Sequence, residues 1–322
     1  MQVHPDIAAL RTDRAPQRRA QAGMLAAREG WLAEPGAAQM QDDLNAYGKG
    51  APLEACPVLE AVFTQGEEAE RLMSLLATHY CRAMAANPIG HPPFRNGFDG
   101  VSTSLLLAHT GRAQLMLQAR EPGTVDTASY KFCDATRFDA VLAGEAEARI
   151  VRKLGQGGDD ARFTEEKLTL RPGNRLSFDL GTEALLIDRV ETRAVFLRLL
   201  RTAENPQPAC EYAAADGRLL HQSSGKIATS RREAIVALLG RMGREDAAPA
   251  IADVAAAEGD ISLRWQAMRE ALALDTATGF RTLIKVARRP QDPLAPQAGA
   301  LRAQLLENYP QLAELEASQC PA

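Results

Sequence analysis

Residues 137–151 read RFDAVLAGEAEARIV, and residues 166–180 read EKLTLRPGNRLSFDL. In both stretches short runs are interrupted by turn residues, Gly144 in the first and Arg171-Pro172-Gly173-Asn174 in the second. Runs this short, bounded this way, predict strands joined in hairpins. The pattern extends outward on both sides. VSTSLLLAH (101–109), Thr110-Gly111 and RAQLMLQAR (112–120) predict one further hairpin; ALLIDRV (184–190), Glu191-Thr192 and RAVFLRLLR (193–201) predict another. Roughly eight to ten strands with no helix between them argue for an antiparallel barrel or sandwich.

The flanks read as helix. GEEAERLMSLLATHYCRAMAA (66–86) places Leu72, Leu75, Leu76, His79/Tyr80 and Ala83 on one face, starts with glutamates and stops at Asn87-Pro88. After Ser230 a helical period returns and repeats. REAIVALLG (232–240) aligns with WQAMREALA (265–273), and a further step of the same length reaches Ala300 and Leu305. APAIADVAAA and GFRTLIKVARR supply the second helices of the pairs. This tail resembles HEAT-like helical repeats over about 85 residues, which stack because no pair buries its apolar face alone. Ala234, Leu238, Leu239, Leu272, Leu283 and Leu305 are its expected buried residues. The whole reads as an α+β multidomain chain. It has N-terminal helices (1–95), an antiparallel β barrel or sandwich (96–225) and a C-terminal α-solenoid of helix pairs (226–322).

The middle region also resembles the cupin superfamily. RFDAVLAGEAEARIV is similar to the strand–Gly–strand part of the first cupin motif, and LTLRPGNRLSFDLGTEA (168–184) to the second, with its Pro-Gly turn. The resemblance implies a β-barrel whose metal is held by histidines and a carboxylate. The positions ahead of Val141 and near Ala184, where the motifs place histidines, hold none. No metal and no cofactor are expected on that ground.

Composition excludes several classes. Of 37 Lys and Arg only six are lysine, and with 41 Asp and Glu the formal net charge is −4, spread along the chain. A phosphate-backbone binder concentrates positive charge, so no nucleic acid is expected. The Arg-over-Lys bias with abundant Ala suggests a GC-rich bacterial genome. Residues 1–20 lack the apolar core of a signal peptide, and runs such as Leu105-Leu106-Leu107-Ala108 are too short to cross a bilayer. A cytoplasmic protein with no membrane contact is expected, its five cysteines (Cys56, Cys81, Cys133, Cys210, Cys320) reduced and mostly buried. There is no G-x-S-x-G, Walker or G-x-G-x-x-G pattern in a suitable context. Gly155-Gln156-Gly157-Gly158 reads as a hairpin loop.

Five histidines remain as candidates for chemistry: His4, His79, His91, His109 and His221. His79 falls on a buried helix stripe. His91, Arg95, His109, Tyr130 and His221 each fall at a predicted strand end or in the entry loop, and are the candidate ligand-binding set at the barrel mouth. Arg281, Lys285, Arg288 and Arg289 share a helix face and are the candidate partner-binding set. The expected function is a non-catalytic or regulatory binding protein: the barrel holds a small molecule or peptide, and the helical tail docks a protein partner or a second copy. The alternative is a cupin-like oxygenase, isomerase or tailoring enzyme with a His-based site, with iron as its possible metal.

Overall fold

A computed structural model describes residues 5–10, 12–155 and 160–317. His4, positions 156–159 of the glycine-rich loop and Cys320 lie outside the described residues. The chain forms two compact units, Met1–Pro206 with Cys210–His221, and Gln207–Ala209 with Gln222–Ala322.

The first unit begins with α1 (Pro5–Ala9), α2 (Ala15–Leu32), α3 (Ala37–Lys49), α4 (Pro57–Thr64) and α5 (Glu68–Ala86). Strands follow: β1 (Arg95–Phe98), β2 (Ser102–Thr110), β3 (Ala113–Arg120), β4 (Gly123–Thr124), β5 (Ser129–Phe132), β6 (Ala135–Leu154), β7 (Arg162–Leu170), β8 (Arg175–Asp179), β9 (Glu183–Thr202), β10 (Ala209–Ala213) and β11 (Leu219–Ser223). The main sheet runs β1-β2-β3-β9-β6-β7, with β4 beside β9 and β8 beside β6. A smaller sheet runs β11-β10-β5. All the strand pairs with a described register are antiparallel.

Two of the expected hairpins are single strands instead. β6 and β9 each continue for 20 residues, straight through Gly144 and through Glu191-Thr192. They pair with one another from Ala135↔Thr202 to Arg152↔Glu183. The turn residues mark a bend in this ribbon. The register slips between Val141 and Ala146, Gly144 takes φ 83°, and a Cβ there would collide with the Arg193 carbonyl. Thr192 Oγ1 accepts from Glu145 N across the bend at 3.0 Å. This is a bulge that kinks both strands together. The Pro172-Gly173 turn likewise does not reverse the chain. β7 and β8 both pair with β6, at Ala146↔Leu170 and Ala140↔Arg175, so they form one interrupted edge along it. The β2–β3 hairpin forms as expected, with His109 paired to Gln114 and Thr110 to Ala113.

One face of the main sheet is covered by the N-terminal helices. Leu115, Ala140, Leu197 and Leu199 share a core with Met40, Leu44, Leu59 and Leu72. The α5 stripe is as predicted at Leu72, Leu76 and Tyr80, all buried. Polar links fix this packing. Asp43 accepts from Val58 N at 2.8 Å and Leu59 N at 3.1 Å, capping α4 from across the bundle. The Arg201 guanidinium lies 3.8 Å from the centre of the Tyr47 ring and donates to Ala51 O at 2.6 Å. Of the described cysteines only Cys56 is buried, and Cys81 is exposed, so the expectation of mostly buried thiols fails.

The second unit holds α6 (Ile227–Arg241), α7 (Ala248–Ala256), α8 (Ile261–Leu274), α9 (Thr276–Ala287), α10 (Ala295–Asn308) and α11 (Ala313–Ala317). Its core gathers Ile251, Met268, Phe280, Leu283 and Ile284. Leu283 is buried as expected, but Leu239, Leu272 and Leu305 are only half-buried, and Ala234 and Leu238 are exposed. Only Val236 of α6 is buried. The alignment set Ala234 on Ala267, yet Ala267 is fully buried. The two helices therefore present different faces to the core, and the sequence repeat is not matched by a repeat in burial. No helix among the described residues is long and apolar enough to cross a membrane.

Candidate functional site

Strand alternation decides what the face of the main sheet turned away from the helices carries. On β6, Phe138, Ala140 and Leu142 pack toward the helices, which turns Arg137, Asp139 and Val141 the other way. Asp139 pairs in register with Arg198 of β9, and Arg198 with Met116 of β3. Along the same face of β3 come Gln118 and Arg120, and Arg120 stands opposite Ser102 of β2.

Asp139 is fully buried. Its Oδ1 accepts from Arg198 Nε at 2.8 Å, and its Oδ2 from Arg198 Nη2 at 3.0 Å. Arg137 donates to the same Oδ2 through Nε at 2.9 Å and Nη2 at 2.5 Å. Burial alone would push this carboxyl up; the charges of Arg198 and then Arg137 outweigh it and bring the pKa down to about 2. The Arg137 guanidinium also lies 5.0 Å from the centre of the Phe178 ring. One carboxylate thus holds two guanidiniums in fixed positions.

Arg120 has no such partner. Its Nε is buried without a hydrogen bond. Burial, and then the charge of Arg198, lower its pKa, while Asp99 and Asp139 oppose that. Two more polar atoms beside it are buried and unpartnered, Gln118 Oε1 and Ser102 Oγ. Asp99 is committed elsewhere, since its Oδ1 accepts from Ser102 N at 2.7 Å and Val101 N at 3.0 Å. The face therefore carries three guanidiniums against two carboxylates, with three orphaned polar atoms grouped on two adjacent strands. Buried polar atoms are nearly always paired, so these three retain capacity for a further hydrogen bond.

The residues singled out from sequence are elsewhere. His91, Arg95, His109 and His221 are exposed, and Tyr130 is buried. Among the described residues no hydrogen bond or ion pair joins any two of the five. Tyr130 packs edge-on against Phe163 at 5.0 Å and donates to Glu165 Oε1 at 2.5 Å. Burial and then that bond push its hydroxyl up to about 12. His79 is half-buried and bonded to Glu34 at 2.9 Å. Of the helical set, Arg281 and Lys285 are exposed on α9 and Arg288 is exposed at its C-cap; Arg289 donates to Ala256 O at 2.6 Å and belongs to the unit's own packing. Among the described residues no three His, Cys, Asp or Glu side chains gather as ligands for a metal. The described residues do not gather the His-based iron centre of the enzyme alternative.

Sequence reasoning missed Asp139, Arg198, Arg120, Gln118 and Ser102. A signal existed: charged residues at alternate positions inside apolar strands, Arg137 and Asp139 in one and Arg198 in another.

No family model matches the chain, and no curated protein matches it. Solved structures similar to part of it include a 7S globulin of Momordica charantia, at 15% identity and TM-score 0.28 over 38% of this chain and 36% of that one. A sugar phosphate isomerase from a cupin superfamily, from Silicibacter pomeroyi, shows 19% identity and TM-score 0.25 over 35% of this chain and 66% of that one. The cupin domain of Drosophila melanogaster CENP-C shows 15% and 0.27 over 34% and 71%. The chain thus spans 36% of the globulin and just under two thirds of the isomerase. Likeness at these TM-scores does not assign the chain to a family and says nothing of its activity.

Proposed function

We propose that the β-rich unit is a cupin-like binding module that holds a small hydroxylated anion, a hydroxy-carboxylate or sugar phosphate, on the face opposite its helices. The observation that supports this reading is the group of buried, unpartnered atoms, Arg120 Nε, Gln118 Oε1 and Ser102 Oγ. An anion takes the free guanidinium, and a ligand hydroxyl donates to Gln118 and accepts from Ser102. Asp139 neutralises only part of the charge of Arg137 and Arg198, so the site gains from a further negative group. Specificity follows because a site built to hydrogen-bond a group rejects analogues lacking it.

Calorimetric titration with malate, glucose 6-phosphate and neutral glucose tests this. Saturable binding of at least one anion, absent for glucose and lost in Arg120→Gln, is expected. Binding of neither anion, or unchanged affinity in Arg120→Gln, overturns it.

The HEAT-like tail is read as a contact element, with Arg281 and Lys285 facing an acidic partner. Given the chain's own net charge of −4, that partner is taken to be a second copy. Sedimentation velocity that shows a monomer at both low and high salt removes this part of the reading.

A further inference from the structure

A cavity lies on the helix-covered face of the same strands, inside the core between α2, α3, α5 and the β2–β3 hairpin. It has a volume of about 190 Å³. Trp31, Leu44, Leu76, Leu107 and Leu115 form its apolar wall. Around it the core is tightly filled, with Leu44 and Leu115 nearly inaccessible, and native interiors hold few voids larger than a water molecule. An engineered apolar cavity of about 150 Å³ is enough to admit benzene. This one is large enough for a substituted ring or a branched aliphatic chain.

Three polar side chains, Tyr80, Arg28 and Gln41, give the space a direction. Tyr80 lines it, is buried, and packs edge-on against Phe94 at 4.9 Å. Its hydroxyl is buried without a hydrogen-bond partner, although a buried tyrosine O–H usually has one. Arg28, exposed on α2, lines the same space and lies near enough for its charge to act on Tyr80. Burial raises the Tyr80 pKa, so the O–H is a neutral donor at physiological pH. Gln41 of α3 also lines the space, so a cationic donor, a hydroxyl donor and an amide face a wall that is otherwise apolar. No carboxylate lines that wall.

We propose that this cavity binds a small aromatic or branched-chain carboxylate, its apolar end among Trp31, Leu76 and Leu115 and its carboxylate between the Tyr80 hydroxyl and the Arg28 guanidinium. The site lies on the helix-covered face, whereas the anion site proposed above lies on the other, so either stands without the other. Trp31 in its wall supplies the readout. Its indole Nε1 donates to Leu72 O at 3.2 Å, so ring contact alters its emission without that bond breaking.

The test uses the full chain with Trp265→Phe, leaving Trp31 as the only tryptophan, titrated with phenylacetate, phenylacetamide and phenethylamine. Phenylacetate is expected to change the emission saturably, with phenylacetamide weaker by about tenfold and phenethylamine weaker still. Arg28→Gln, on an exposed side chain, is expected to weaken phenylacetate by about tenfold while leaving phenylacetamide unchanged. Tyr80→Phe is expected to weaken phenylacetate and to raise the melting temperature of the free protein, because it removes an unpaired buried hydroxyl. Ala108→Leu, which fills the space, is expected to abolish the response to every probe. No emission change with phenylacetate at millimolar concentration overturns the proposal. So does equal affinity for the three probes, or an unaltered response in Ala108→Leu.

Discussion

Replacing Asp139 by Asn is the sharpest perturbation of the β-rich unit. The fully buried carboxylate receives four donated bonds from Arg137 and Arg198. The amide keeps the shape but leaves two guanidiniums without a counter-charge in the interior. Removing one partner of a buried ion pair costs about 3–5 kcal/mol, because the remaining charge is uncompensated. The dependence on pH carries a second, independent number. The folded-state pKa is depressed, from the ordinary 3.8 to about 2. Its contribution is therefore complete above the unfolded value and disappears as pH falls through the folded one. At ~1.4 kcal/mol per pH unit this amounts to about 2 kcal/mol. Urea unfolding of wild type and Asp139→Asn is to be followed at neutral pH and stepwise into acid. The gap between them is expected at about 3–5 kcal/mol near neutrality, shrinking by about 2 kcal/mol between pH 4 and 2. Joint replacement by Arg137→Met, Asp139→Leu and Arg198→Met is expected to recover most of the loss, since apolar substitutes for buried ion pairs are often no less stable. A neutral-pH gap below ~1 kcal/mol, the level of a surface pair, or a gap insensitive to acid, refutes this account of the cluster.

Gly144→Ala is expected to cost more than about 2 kcal/mol in chemical denaturation, since φ 83° and the facing Arg193 carbonyl both exclude a Cβ. Leu283→Ala, fully buried in the helical unit, is expected to lower its stability by about 2–5 kcal/mol. Leu238→Ala, 58% exposed on α6, is expected to shift it by less than ~0.5 kcal/mol; equal melting shifts for the two would contradict the helix phases described. Asp43→Ala is expected to cost about 1–2 kcal/mol through loss of the α4 cap, read by urea denaturation against a surface Asp→Ala control.

The β2–β3 hairpin and α5 were legible because their local signals agree with their packing. Gly111 takes φ 54° where the sequence places a turn, and the α5 stripe is apolar on one side only. The long strands were not legible for a specific reason. Gly144, Pro172-Gly173 and Glu191-Thr192 are turn-formers, and the same residues serve a bulge as well as a reversal. Only the pairing of β6 with β9 tells the two apart. In α6 apolar residues surround the axis, so one alignment fixed the length of the helices without fixing their phase. The site was hidden by chemistry. Histidines drew the reading because they ligate metals and titrate, yet His91, His109 and His221 face solvent. Arg137, Asp139 and Arg198 look like ordinary polar alternation on a half-exposed strand. Their burial follows from tertiary structure, which covers both faces of this part of the sheet.

The central proposal is that Arg120 binds an anion through its unpaired Nε–H. Nitrogen-15 NMR of the arginine Nε–H groups measures this most directly, with Arg120→Gln assigning the signal. As malate or glucose 6-phosphate is added, the Arg120 resonance is predicted to shift saturably, while the Asp139-bound signals of Arg137 and Arg198 move far less. Binding of these anions that leaves the Arg120 Nε–H resonance in place would contradict the account.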